Sequence, residues 1–202
     1  MNQDRRNSLR DAAIDVLADA GGRGLTHRAV DAAAEVPVGT TKNYFPTREA
    51  LLRAAAERCV EQYAQIAAQL TAGGPGPRDR EGLAGLLRGL LENVAGPGRP
   101  RMLAYFELRS EAARDPRLAT ILDRVATDDF TGLELAQRVA GLPVTPDKAA
   151  VVTLALHGAI LHLLVDRPGS VATTAAGLEN LEHFVHNLLN AVYPQEELER
   201  RP

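Results

Sequence analysis

Five histidines and one cysteine are the side chains in this 202-residue chain best suited to hold a metal or attack a substrate. His157 and His162 are five apart and do not share a helix face well, whereas His183 and His186, three apart, can share one. Neither pair has a cysteine or an evident carboxylate partner nearby, so pocket or interface histidines are expected, with no metal site and no cofactor. A lone Cys59 permits neither an internal disulfide nor a cysteine-based zinc cluster. It lies on an apolar helical stripe and is expected as a buried thiol rather than a nucleophile or redox sensor. A Gly-rich phosphate loop and a Gly-x-Ser-x-Gly elbow are both missing from the sequence, and no enzyme is expected.

The chemistry the sequence does offer is hydrogen-bond donation to a polyanion. Thr40, Thr41, Lys42, Asn43 and Tyr44 form a polar run on a segment too short to bury it. Short side chains allow close approach to DNA, and Lys, Asn and Tyr supply donors for phosphates or base edges. His27 and Arg28 open the preceding helix, where free backbone N–H groups also favour phosphate.

Helices must position these residues. Alanine and leucine dominate between Gly and Pro breaks, and alternating β-branched runs are absent, so the expected class is all-α with about nine helices. The spacing predicts a first helix over 5–20 stopped by Gly21-Gly22, and a second over 27–34 capped by Thr26. A very short third follows over 38–44, and a long fourth starts after Thr47. The fourth carries the stripe Leu52, Ala56, Cys59, Tyr63, Ile66, Leu70. Residues 71–78 read as a loop. Further helices are predicted over 79–94, 101–114, from Pro116 to the break at 141–143, over 146–165, and over 171–193. A helix-turn-helix domain is expected over 1–46 and an effector-binding and dimerisation domain over 47–202.

Two short helices around a break at Glu35-Val36-Pro37, with a third helix in front, are the plan of a helix-turn-helix. The residues Leu25-Thr26, Val30, Ala33-Ala34, Val36, Gly39-Thr40 and the run Tyr44-Phe45-Pro46-Thr47-Arg48-Glu49-Ala50-Leu51-Leu52 resemble the signature of the TetR family of transcriptional regulators. Ala12-Ala13-Ile14, Leu17 and Gly21 match that family's first helix, and Phe106-Glu107-Leu108 with Glu111-Ala112 resembles a stretch common in its effector domains. The resemblance implies a homodimeric repressor that reads a near-palindromic operator and is released by a small molecule. It implies DNA contacts from Thr26, His27, Arg28, Val38, Gly39, Thr40, Thr41, Lys42, Asn43, Tyr44 and Arg48. Lys42 replaces a phosphate-contacting tyrosine of the family. Glu35 replaces a glycine usual in the turn, and Pro37 replaces a usual Ser or Thr cap, placing the proline in the first turn of the recognition helix.

Charge does not announce this role. The chain has a net charge of -3, and residues 1–50 hold seven basic against seven acidic side chains, so a DNA face depends on placement rather than excess. The polar N-terminus lacks the apolar core of a signal peptide, and no uninterrupted apolar run reaches the roughly 18 residues of a membrane span; a cytoplasmic protein is expected. The last predicted helix carries Leu178, Leu181, Val185, Leu188 and Val192, widened by Phe184 and Leu189, beside an eighth helix apolar almost all round. Pairing these helices with a second copy would cover both. A hydrophobic effector is expected among Leu86, Leu90, Met102, Tyr105, Phe106, Leu156, His157 and Ile160. The alternative reading is an all-helical small-molecule-binding or catalytic protein that does not touch DNA.

Overall fold

The computed structural model describes residues 2–72 and 76–194, with the side chains of 67–72 excepted. The Leu70 side chain, the centre of the 71–78 loop and the charged tail from Gln195 lie outside the described residues. The described residues are helical and contain no strand. In chain order the helices are α1 (Gln3–Gly24), α2 (His27–Ala33), α3 (Thr40–Tyr44), α4 (Arg48–Ala72), α5 (Arg80–Ala95), α6 (Arg99–Ala112), α7 (Pro116–Val139), α8 (Pro146–Val165), α9 (Val171–Ala175) and α10 (Leu181–Val192).

Caps account for many of these boundaries. Asn2, Thr26, Asp79, Thr145, Ser170 and Asn180 each accept a hydrogen bond from a first-turn backbone N–H, satisfying donors that the helix cannot. The predicted ninth helix is two helices. Gly177, at φ 72°, ends the first, and Asn180 caps the second. The recognition helix begins at Thr40, two residues later than expected. Pro37 precedes it, and its carbonyl accepts from the Thr40 N–H at 3.1 Å.

The chain forms two compact units. The first comprises residues 1–70 and 100–126, and the second 71–99 and 127–202. In the first, Leu9, Leu17, Leu25, Val30, Phe45, Leu51, Cys59, Leu108 and Leu122 pack one core. Two Arg–carboxylate pairs run along its flank. Arg10 donates to Glu61 at 3.1 and 2.7 Å, and Arg58 donates to Asp11 at 2.7 and 3.0 Å, tying α1 to α4. In the second unit α5, α8 and α10 pack together around Leu83, Leu87, Leu91, Val152, Leu156, Val185, Leu189 and Tyr193. Burying this many large apolar side chains is what outweighs the entropy of ordering each unit. The helix α8 is, by length and composition, apolar enough to cross a bilayer, although Thr153, His157 and His162 interrupt its apolar run. A core helix passes the same test, and α8 buries Val152, Leu156, Ala159 and Leu164.

Candidate functional site

The recognition helix has only five residues, too few to be stable alone. Its position is set by Asp31 of α2, whose carboxylate accepts from the Gly39 N–H and the Thr41 N–H, both at 2.7 Å. The carboxylate thus acts as a remote cap for two of the orphan donors of α3. Asp31 is 1% exposed. Burial pushes its carboxyl up, but hydrogen bonds from Thr41 and Gly39, with His27 nearby, outweigh it and hold the group below the usual carboxylate range. Gly39, at φ 94°, makes the turn that aims these two amides at one side chain.

The predicted DNA contacts separate into two sets. Val38 is 80% exposed, and Arg28, Lys42 and Asn43 are exposed as well. Thr40 and Tyr44 are half-buried; the Thr40 hydroxyl donates to the Pro37 carbonyl at 2.6 Å, and the Tyr44 ring leans on Phe45 at 6.4 Å. The remaining residues have structural duties. Thr41 is 0% exposed, one helical turn before buried Phe45, so it faces the core and leaves the contact list. Arg48 does not project freely: its guanidinium donates to the carbonyls of Leu25 and Gly22, both at 2.6 Å. His27 Nε2 donates to the Phe45 carbonyl at 2.6 Å, and the Thr26 hydroxyl accepts from the Ala29 N–H at 3.1 Å. The Arg6 guanidinium lies over the Phe45 ring, 5.4 Å from its centroid.

Sequence reasoning missed Asp31. A signal was present: a single carboxylate in a helix whose other residues are His27, Arg28, Ala and Val, eight residues before a Gly-Thr pair whose amides need acceptors.

The expected effector residues divide between the units. In the first, Met102, Tyr105 and Phe106 are half-buried. The Tyr63 hydroxyl donates to the Met102 sulfur at 3.1 Å, the Tyr63 and Tyr105 rings are 5.4 Å apart, and Phe106 meets Tyr105 edge-on. In the second unit, Leu156 is core, while Leu86, Leu90 and Ile160 are half-buried against that core. His157 meets the Phe130 ring edge-on at 5.8 Å, with its Nε2 3.4 Å from the Asp129 carboxylate. Asp129 and Phe130 were not foreseen. His186 has both ring nitrogens engaged, on the Glu182 carbonyl at 2.8 Å and the Glu81 carboxylate at 3.1 Å. Among the described residues no three His, Cys, Asp or Glu side chains are gathered as metal ligands.

The expected dimer seam is only partly available. Leu178, Val185 and Leu189 are buried in the core of their own unit, so they cannot also meet a second copy. Leu181, Phe184, Leu188 and Val192 are half-buried at its edge. The exposed apolar row instead lies on α8, at Val151, Leu154, Leu161 and Val165.

A family model described as "Tetracyclin repressor-like, C-terminal domain" matches residues 78–191, more than half the chain. The chain belongs to the TetR family. Solved structures agree. The multidrug binding protein EbrR complexed with ethidium is 29% identical, covers 94% of this chain and 99% of its own, and superposes with a TM-score of 0.66. The same protein complexed with proflavin is 30% identical over 93% of this chain and 99% of its own, at a TM-score of 0.60. A TetR-family member from Streptomyces coelicolor A3 is 28% identical over 94% of this chain and 98% of its own, at a TM-score of 0.66. No curated protein sequence matches the chain. This protein therefore has the fold of TetR-family regulators, a family that binds DNA and small effectors, typically as dimers.

Proposed function

We propose that this TetR-family protein is a cytoplasmic repressor that holds a near-palindromic operator as a homodimer and releases it on binding a small hydrophobic effector. The observation that carries the DNA part is the outward face of the α3 turn. Val38, Lys42 and Asn43 are exposed on a segment whose inner side is fixed by Asp31, Thr41 and Phe45. An apolar group for a thymine methyl, a cation for a phosphate and an amide for an adenine edge are the chemistry of duplex reading. The division proposed by function, 1–46 for DNA and 47–202 for effector and dimer, differs from the two compact units, in which 47–70 and 100–126 pack with 1–46.

The dimer contact is assigned to α8, with the half-buried edge of α10 beside it. Val151, Leu154, Gly158, Leu161 and Val165 are spaced three, four, three, four, the period of two helices packed in a shallow crossing. Gly158 leaves room for a second backbone to approach. The effector class follows from the neighbours: EbrR is solved with ethidium and with proflavin, flat aromatic dyes. Met102, Tyr105 and Phe106 in one unit, and Phe130 and His157 in the other, are the aromatic and polarisable groups suited to such molecules. Asp129 adds a carboxylate to the second group. The deciding experiment selects bound sequences from random duplex DNA, measures their affinity against salt, and titrates ethidium and proflavin into the complex. Salt-sensitive, sequence-selective binding that either dye reverses is expected. A chain that enriches no sequence overturns the reading.

A further inference from the structure

Within the first unit, α6 grips the reading head directly. The head is attached to α4 through the chain at Phe45–Arg48, but a second attachment is built from α6 carboxylates. Gly21, at φ 65° and ψ -177°, interrupts the hydrogen-bond ladder of α1. The Gly22 N–H that this frees donates to Glu107 Oε2 at 2.8 Å. The Gly22 carbonyl accepts from Arg48 at 2.6 Å, and Arg48 lies 3.7 Å from Glu111 Oε1. One residue of α1 therefore closes a ring from α6 through α1 to the start of α4 and back to α6. The fit is close: a Cβ on Gly22 would stand 2.8 Å from Glu111 Oε1 and 3.4 Å from Glu107 Oε2. Arg48 is consumed by this ring rather than offered to DNA.

We propose that Glu107 and Glu111 are positioning residues for DNA reading, setting the pose of α1–α3 on α6 through Gly22 and Arg48. The inference rests on the dimeric DNA-binding reading above. Two recognition segments must match one half-site separation, so a head held at one angle selects one operator spacing, and a loosened head tolerates several. A change in α6 would reach the head through these two carboxylates without first moving α4.

The test uses duplexes carrying the half-sites the parent chain selects from random DNA, with the spacer lengthened or shortened by one base pair. The parent is expected to prefer its own spacing by about tenfold. Glu107→Leu removes the acceptor at similar size and is expected to cut that preference to about threefold or less. Glu107→Gln keeps an oxygen for the Gly22 N–H and is expected to retain it. Glu111→Ala, a half-exposed change that leaves folding intact, tests the Arg48 limb in the same assay. It is expected to lower the preference less than Glu107→Leu does, and it decides the proposal if Glu107→Leu does not fold. Affinity lost equally at every spacing, or a Glu107→Leu or Glu111→Ala protein with the parent's preference, overturns the positioning role while leaving the DNA reading intact. A parent with no spacing preference overturns the dimeric reading, and this proposal falls with it.

Discussion

Removing the Asp31 carboxylate should unlock the recognition helix. It accepts two 2.7 Å bonds from backbone amides while almost wholly buried. Hydrogen bonds to a charged group are worth about 1.5–3 kcal/mol each, and an orphaned buried donor costs about 1–3 kcal/mol. The two amides differ. Gly39 is half-exposed and its N–H can turn to water, whereas Thr41 is buried and its N–H cannot. Asp31→Ala should therefore cost about 2–3 kcal/mol, more than an ordinary cap at about 1 kcal/mol. Asp31→Asn keeps one acceptor oxygen but turns an NH2 toward the second amide, and about half that loss is expected.

The pH dependence separates this account from simple packing loss. Because the folded carboxyl titrates below its unfolded value, its stabilisation is present in full above the ordinary carboxylate range. It is lost as pH falls through the lower, folded value. The gap between parent and Asp31→Asn should thus be widest near neutrality and narrow as the pH falls through the ordinary carboxylate range and below it. Urea unfolding followed by circular dichroism at each pH measures the gap, and hydrogen exchange at the Thr41 amide shows whether the loss is local. Equal midpoints for parent and Asp31→Asn near neutrality, or a gap that does not narrow in acid, would refute the capping role.

Four further outcomes are expected. Glu35 sits at φ 52° in the turn after α2; relief of about 1–2 kcal/mol of left-handed strain, less about 0.5–1 kcal/mol of glycine entropy, makes Glu35→Gly stabilising by about 0.5–1 kcal/mol in thermal unfolding. Leu154→Glu, at a side chain 58% exposed, should yield a folded monomer by sedimentation, whereas Val185→Glu, at 0% exposure, should unfold its unit; a dimeric Leu154→Glu protein would remove α8 from the interface. Lys42→Ala should lower the slope of log affinity against log salt by about one, and an unchanged slope would strike Lys42 from the phosphate contacts. Burial pushes the Cys59 thiol up to about 12, against a smaller opposing pull from Arg101, so alkylation near neutrality should wait on unfolding, as quench times against urea would show.

What could be read in advance depended on how far apart the deciding residues stand. The helices after each Gly or Pro break were legible because caps and periodicity act within one or two turns. The failure at 171–193 is of the same local kind. An isolated glycine is tolerated in a helix, so Gly177 alone did not end the run, and Asn180 three residues on was the overlooked cap. Thr41 failed differently. A polar run was assigned whole to the outside, yet Thr41 lies four residues before the buried C-cap residue Phe45 and is buried with it, even on a five-residue helix. Arg48 and Asp31 lay beyond the reach of helix periodicity, although the carboxylate eight residues before a Gly-Thr pair was a hint at Asp31. Their partners are 23 to 26 and 8 to 10 residues away, and a charged side chain carries no mark of whether it will meet a phosphate or the backbone of its own fold. The same limit hid that Val185 belongs to the core of its own unit, leaving α8 as the more exposed of the two helices expected at the seam. Two apolar helices were recognised as needing cover, but which face of each was already covered depended on α5, whose packing against both no periodicity along α8 or α10 encodes.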